Sequence, residues 1–262
     1  MDLELKGSIV LITGGSKGIG LACARSFAAE GARVAIASRN QEHLARAVKM
    51  LETEGAKPFA VTADLGEPQQ AAAMVAKVEA ALGPIAVLVN CAGAARRTPP
   101  TELTAEHWHA AMQAKYFTYV HAMDAVLHRM AQRGAGVIIN VIGMGGKIAG
   151  PTHLPGGAAN AALMLASVGL ASAYARNGIR VNAVNPGLTE TERMHEGLQA
   201  EARRTGKPVA ELLEQFVRAM PLGRIAQPQD IADTVVFLAS KRASYVSGAV
   251  ISLDGAATPT VV

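Results

Sequence analysis

Seven short apolar runs, rich in β-branched residues, recur along the chain: SIVLIT (8–13), RVAIAS (33–38), PFAVTA (58–63), IAVLVN (85–90), GVIINVIG (136–143), IRVNAVN (179–185) and AVISLDG (249–255). They are nearly continuous rather than alternating, the pattern of strands buried on both faces. Helical periodicity fills the gaps between them. Ile19, Cys23 and Phe27 share one helical face, and Ala73, Val75, Val78 and Leu82 line another that Pro68 opens in its first turn. A long helical pattern runs from about Thr104 to Arg133, a second from Pro155 to Asn177, and a last short one from Asp230 to Leu238.

Strict alternation of strand and helix predicts βαβ units: an α/β fold with a parallel sheet of about seven strands, doubly wound by helices on both faces. No linker, repeat or low-complexity tract interrupts the rhythm, so residues 1–262 read as a single domain. The exception is the polar segment 188–226 between the sixth and seventh strands, with a helix expected over VAELLEQFVRAM (209–220). An insertion over the carboxyl ends of a parallel sheet is expected to be a substrate lid.

Composition narrows the partners. A net charge of +4 with only short basic spots, Arg96-Arg97 and Arg203-Arg204, and 4% aromatic residues gives no platform for nucleic acid. Cys23 and Cys91 are too few for a disulfide framework and read as reduced, buried thiols. No metal site is expected. The opening MDLELKGSIV is acidic and leads into a strand, unlike a signal peptide. The apolar runs are judged shorter than the ~18 residues of a membrane span. A soluble cytoplasmic protein with no membrane partner is the expectation.

The first strand leads into TGGSKGIG (13–20). Gly14 lets the chain turn, Gly18 lets backbone approach a pyrophosphate and Gly20 lets the helix pack on the strand, with Ser16, Lys17 and Ile19 between them. This Rossmann-like signature follows a strand, opens a helix and starts a βαβ series. The second strand ends Ser38-Arg39, where an NAD site wants an acid for the ribose 2′-OH. A serine and an arginine suit a 2′-phosphate instead, and Lys17 offers a second positive charge. The cofactor expected is NADP(H).

With these motifs the chain resembles the short-chain dehydrogenase/reductase family over nearly its whole length. The matches are TGGSKGIG, Asp64-Leu65 after the third strand, Asn90-Cys91-Ala92-Gly93 after the fourth, Asn185-Pro186-Gly187 with Thr189 and Thr191 after the sixth, and the closing Ser247-Gly248 and Asp254-Gly255. The resemblance implies that Asp64 contacts the adenine, that Asn90 to Gly93 support sheet and nucleotide, and that Pro186 to Thr191 hold the carboxamide. It also implies a homodimer or homotetramer built on the two long helices.

The family's chemistry uses an asparagine on the long helix, a serine after the fifth strand, and Tyr-x-x-x-Lys on the next helix. An ungapped count back from Gly178-Ile179-Arg180-Val181-Asn182 places the tyrosine position at Gly156 and the lysine position at Asn160. The serine position falls at Gly143, and counting on from Trp108 puts the asparagine position at Lys115. No tyrosine occurs between Tyr119 and Tyr174, so a small register error does not restore the motif.

Asparagine and lysine thus look exchanged. One reading sends the Lys115 ammonium into the space of the usual lysine with Asn160 as its hydrogen-bond partner; the other leaves Lys115 snorkelling to solvent. His153, three residues before Gly156, is either a general acid or a solvated loop residue. Tyr119, one turn from Lys115, is expected in the core, and Lys147 and the lid's His195, Glu190 and Glu192 at the surface. A further candidate is the start of the helix itself: with Pro155 as its first residue, the bare amides of Gly156 and Gly157 would face an oxyanion.

Three functions remain open. The first is an NADP(H)-dependent oxidoreductase with an altered site, turning over an activated carbonyl, enone or quinone-like small molecule, with room for bulk where Gly143 and Gly156 replace larger residues. The second is a catalytically inactive NADP(H)-binding sensor or scaffold. The third is a non-redox lyase or hydrolase on the same fold.

Overall fold

The computed structural model describes residues 2–93 and 95–260, without the side chains of Ala200 and Arg204. All seven apolar runs form strands: β1 (Ile9–Thr13), β2 (Arg33–Ser38), β3 (Phe59–Thr62), β4 (Val87–Asn90), β5 (Gly136–Val141), β6 (Ile179–Pro186) and β7 (Val250–Leu253). They make one parallel sheet in the order β3-β2-β1-β4-β5-β6-β7. The chain runs outward from β1 to one edge and then returns to the other side of β1. The resulting switch point, between the carboxyl ends of β1 and β4, is where such sheets bind ligands.

Alternate strand residues feed two cores. Ile9 and Leu11 of β1 join one cluster, Val10 and Ile12 the other. The first is covered by α3 (Pro68–Leu82), α5 (Thr118–Arg133) and α6 (Leu154–Tyr174), the second by α1 (Gly18–Ala29), α2 (Gln41–Thr53) and α9 (Pro228–Ala239). Burial on both faces is why the strands read as continuous apolar runs.

The long pattern from Thr104 is less regular than its periodicity predicts. It begins as α4 (Ala105–Ala111), passes through a π-helical segment (Met112–Phe117) and continues as α5. Such π insertions mark functional positions in many helices, and Lys115 lies inside this one.

The insertion holds two helices rather than one, α7 (Glu192–Thr205) and α8 (Val209–Ala219). α7 lacks the apolar stripe that betrays α8; among its described side chains only Leu198 is buried. The two ends of the insertion meet in a parallel bridge, Thr189 with Ala226. The apolar-run expectation also needs correction. Leu154–Asn177 is long and apolar enough to cross a membrane by length and composition, with mean hydropathy 1.4. Here its Leu163, Met164 and Ala171 pack into the core instead.

A buried chain of hydrogen bonds ties the strand ends together. Thr13 Oγ1 donates to Asn90 Oδ1 (3.1 Å), Asn90 Nδ2 to Asn140 Oδ1 (2.9 Å), Asn140 Nδ2 to Ser167 Oγ (2.9 Å), and Ser167 Oγ to the Leu163 carbonyl (2.7 Å). It runs from β1 through β4 and β5 into α6. Asn140→Ala strands a donor on Asn90 and an acceptor on Ser167, so denaturant melts should show a loss of roughly 2–4 kcal/mol. A loss near zero would mean that water takes over both bonds.

Candidate active site

The glycine turn has the expected build. Gly14 adopts φ 67°, and an added Cβ there would lie 2.8 Å from the Ala92 nitrogen. A Cβ at Gly20 would strike the Gly14 carbonyl oxygen, whereas at Gly18 it would meet only the Thr191 side chain, at 3.4 Å. Ser16, Gly18 and Ile19 are half-buried around the start of α1, with Gly18 facing Thr191. The result is a cradle of bare backbone at a helix N-terminus, which fits a dinucleotide pyrophosphate.

Its neighbours are held in place. Thr13 Oγ1 accepts from the Cys91 and Ala92 amides. Gly93 itself lies hard against the long helix, since an added Cβ would strike the Ala114 carbonyl and lie 2.8 Å from Thr118 Oγ1. Asp64 Oδ1 accepts from the Gly66 amide (2.9 Å), and Leu65 is buried. Beyond buried Pro186, Gly187 donates to the Leu253 carbonyl, Thr189 donates to the Gly187 carbonyl and Thr191 caps α7.

The two expected 2′-phosphate cations differ. The Arg39 side chain is 74% exposed, 4.0 Å from the Asp64 carboxylate, and Ser38 sits beside it, half-buried. Lys17 is already engaged, because its Nζ lies 3.1 Å from Glu192 in the first turn of α7. An exposed, solvent-screened pair of this kind contributes little, so it yields readily to a better anion.

Lys115 does not snorkel. It is buried, and its Nζ donates to Tyr119 Oη (2.8 Å) and to the Val141 carbonyl (3.3 Å) at the end of β5. The Tyr119 hydroxyl donates to the same carbonyl. The expected Lys115–Asn160 hydrogen bond is not formed; Lys115 turns to the residue one turn along its own helix. Asn160 is buried on α6, its Nδ2 facing Gly143 and Gly145. Burial holds the Lys115 pKa far below the lysine range, at about 7, against a raising influence from Cys91 and with a further lowering one from Arg193. The Tyr119 hydroxyl is pushed the other way by the same burial. A neutral amine has two N–H groups for the two acceptors; the ammonium has a third to spare.

His153 caps α6 and turns its imidazole back over Gly156. A Cβ added at Gly156 would strike the ring, with Nε2 at 2.7 Å and the Ala95 methyl at 2.8 Å. The ring thus fills the volume a side chain at position 156 would need, and the expected room exists only at Gly143. His153 Nδ1 is buried without a hydrogen-bond partner. Burial first, then Arg97, Arg193 and Lys115, lowers the His153 pKa, so the imidazole is neutral at pH 7. The bare-amide idea fails here: α6 starts at Leu154, the Gly157 amide donates to the His153 carbonyl (2.7 Å), and the His153 ring covers Gly156.

Arg193, on α7 of the insertion, was not singled out by the sequence. Its Nη2 donates to the Ala95 carbonyl (3.1 Å), reaching the loop that packs on Gly156. An arginine in a polar helix carries no pattern that would have flagged it. Lys147 is half-buried and reaches Ser252 Oγ (3.1 Å), while His195 and Glu190 pair loosely on the exposed insertion at 3.8 Å.

A protein-family model described as enoyl-(acyl carrier protein) reductase matches residues 14–258. Gluconate 5-dehydrogenase of Gluconobacter oxydans is 33% identical over 97% of this chain and 96% of its own. 2,3-Dihydro-2,3-dihydroxybenzoate dehydrogenase of Bacillus subtilis is likewise 33% identical, over 97% of each chain. L-sorbose reductase from Gluconobacter frateurii, solved with NADPH and L-sorbose, superposes with a TM-score of 0.92 at 30% identity over the whole of both chains. The chain belongs to the short-chain dehydrogenase/reductase family of oxidoreductases, whose members bind a nicotinamide cofactor.

The buried amine makes a test of stability. Between about pH 7 and the ordinary lysine pKa of ~10.4, the unfolded chain binds a proton that the folded one does not, so this group makes stability rise with pH through that window. Below about pH 7 the full desolvation cost is present. Lys115→Met removes it and leaves the Tyr119–Val141 bond in place. The variant should be more stable by roughly 1–4 kcal/mol at about pH 6, with the gain shrinking toward about pH 10. A pH-independent difference in denaturant melts would contradict this.

Proposed function

We propose that this chain is an NADP(H)-dependent oxidoreductase with a non-standard proton-handling site, acting on an activated carbonyl, enone or quinone-like small molecule. The observation that carries the reading is Lys115: a buried amine poised near neutrality, at the carboxyl end of β5, next to a dinucleotide cradle. The cofactor would be held by the glycine loop from Gly14 to Gly20, by Ser38 and Arg39 at the 2′-phosphate, by Asp64, Leu65 and Asn90 to Gly93, and by Pro186 to Thr191. The nicotinamide supplies hydride chemistry when bound.

The protein's own groups handle the proton. Lys115 Nζ is close to half-protonated at neutral pH, so it can release or take a proton at little cost in either direction. Tyr119 and Val141 orient it, and Asn160 offers an amide to a substrate oxygen beside Gly143. His153, neutral at pH 7, serves as hydrogen-bonding wall rather than acid. A substrate whose reduction gives a stabilised anion places the least demand on such a donor, which is why activated acceptors fit best.

NADPH oxidation with a panel of enones, quinones and diketones tests the reading. Turnover should follow an ionisation near pH 7 that Lys115→Met abolishes while NADPH binding persists. Tight NADPH binding with no turnover across the panel would favour a sensor or scaffold. Turnover that survives removal of all nucleotide would favour a lyase or hydrolase. Arg39→Asp should weaken NADPH by roughly tenfold or more and leave NADH little changed, by direct titration.

The same reading makes the protein a homo-oligomer. α6 leaves Leu165 76% exposed and Val168 42% exposed, an apolar strip suited to a second copy of the chain. Leu165→Glu should shift the sedimentation profile toward monomer; an unchanged profile would place the contact elsewhere.

A further inference from the structure

The charges of Arg193, Arg97 and Lys115 all bear on the His153 ring. Arg193 reaches from α7 to the Ala95 carbonyl, and the Ala95 methyl lies against Gly156 beneath the His153 ring. Arg97 follows two residues after Ala95, and its charge and that of Arg193 are both felt at His153. Lys115 lies behind them. Nearby acids offer little compensation. Glu192 is taken by Lys17, and Glu190 pairs with His195 and Gln227. Glu196 is the carboxylate that acts on Arg193. His153 Nδ1 adds an unmet hydrogen-bonding demand at the same place.

Two exposed guanidinium groups with one carboxylate acting on them attract anions. Their planar forks match carboxylate, sulfonate or phosphate oxygens, which a neutral polyol or ketone lacks. Arg193 is moreover carried by the lid, so an anion bound there would draw the lid toward the loop at Ala95.

We propose that Arg193 and Arg97 form an anion subsite beside His153, and that the substrate is a carbonyl compound bearing a carboxylate or similar anionic group. This rests on the oxidoreductase reading above for the word substrate, but the subsite does not.

The test uses NADPH-saturated protein and two kinds of matched probe. Calorimetry compares aromatic and aliphatic carboxylates with their carboxamides, such as benzoate with benzamide. Turnover compares carboxylate-bearing aldehydes and ketones with the corresponding amides, such as 4-formylbenzoate with 4-formylbenzamide. The carboxylates should bind, and where turned over show kcat/KM, roughly tenfold or more above the amides. Added salt should erode that advantage. Arg193→Gln and Arg97→Gln should each shrink it while leaving amide binding nearly constant.

Equal binding of both members, binding of neither at millimolar concentration, or a preference that survives both substitutions would overturn the proposal. So would a loss of NADPH affinity matching the loss of carboxylate affinity, since the arginines would then serve the cofactor's phosphates. Carboxylate-selective binding without NADPH consumption would sink the oxidoreductase reading and leave the subsite standing. Turnover of both members at equal rates would do the reverse.

Discussion

The hydrogen-bond chain from Thr13 through Asn90 and Asn140 to Ser167 is the constraint on which the site depends. A polar side chain in an apolar layer must find a partner or cost the fold, so each member fixes the next. Thr13 fixes the exit of β1 and, through the Cys91 and Ala92 amides, the segment after β4. Asn140 fixes the end of β5 and, through Ser167, the height of α6. The cradle, the Lys115 helix and the His153 cap are therefore referred to one line of bonds running across the sheet.

Against that frame Lys115 is an energetic exception. A charged amine in such surroundings loses most of its hydration, and two acceptors compensate only in part. Folding tolerates the position because the neutral form is accessible near physiological pH. The same balance that weakens the fold is the one on which the proposed proton role of Lys115 rests. Tyr119 has a supporting part: its hydroxyl, tied to the Val141 carbonyl, can only accept from the lysine.

The sequence pattern reached far into the fold. Strands buried on both faces leave uninterrupted apolar runs, and the glycine spacing marked the cradle, because both signals are local. The π segment was invisible, since one extra residue per turn barely disturbs helical periodicity over Thr104–Arg133. α7 was missed because its burial comes to Leu198 among few apolar contacts. In the site, Lys115 and Asn160 could be placed by counting, yet their relation could not. Whether the ammonium turns to α6 or along its own helix depends on which acceptors the packed strands and helices bring within reach, here Tyr119 and the Val141 carbonyl, a tertiary matter. His153 over Gly156 is the same case: a glycine declares an empty space, but not which neighbour moves in.

The bridge between Thr189 and Ala226 has an evolutionary consequence. It clasps the insertion at its base, with the Glu190 amide donating to the Ala226 carbonyl (2.8 Å) and the Ala226 amide to the Leu188 carbonyl (3.3 Å). A segment closed in this way can lengthen cheaply, since doubling a flexible loop costs only ~0.6 kcal/mol. Substitutions beyond Thr191, Arg193 among them, can therefore accumulate without touching the sheet. The strand ends and the glycine turn would keep their places while the face that the insertion turns toward them changes residue by residue.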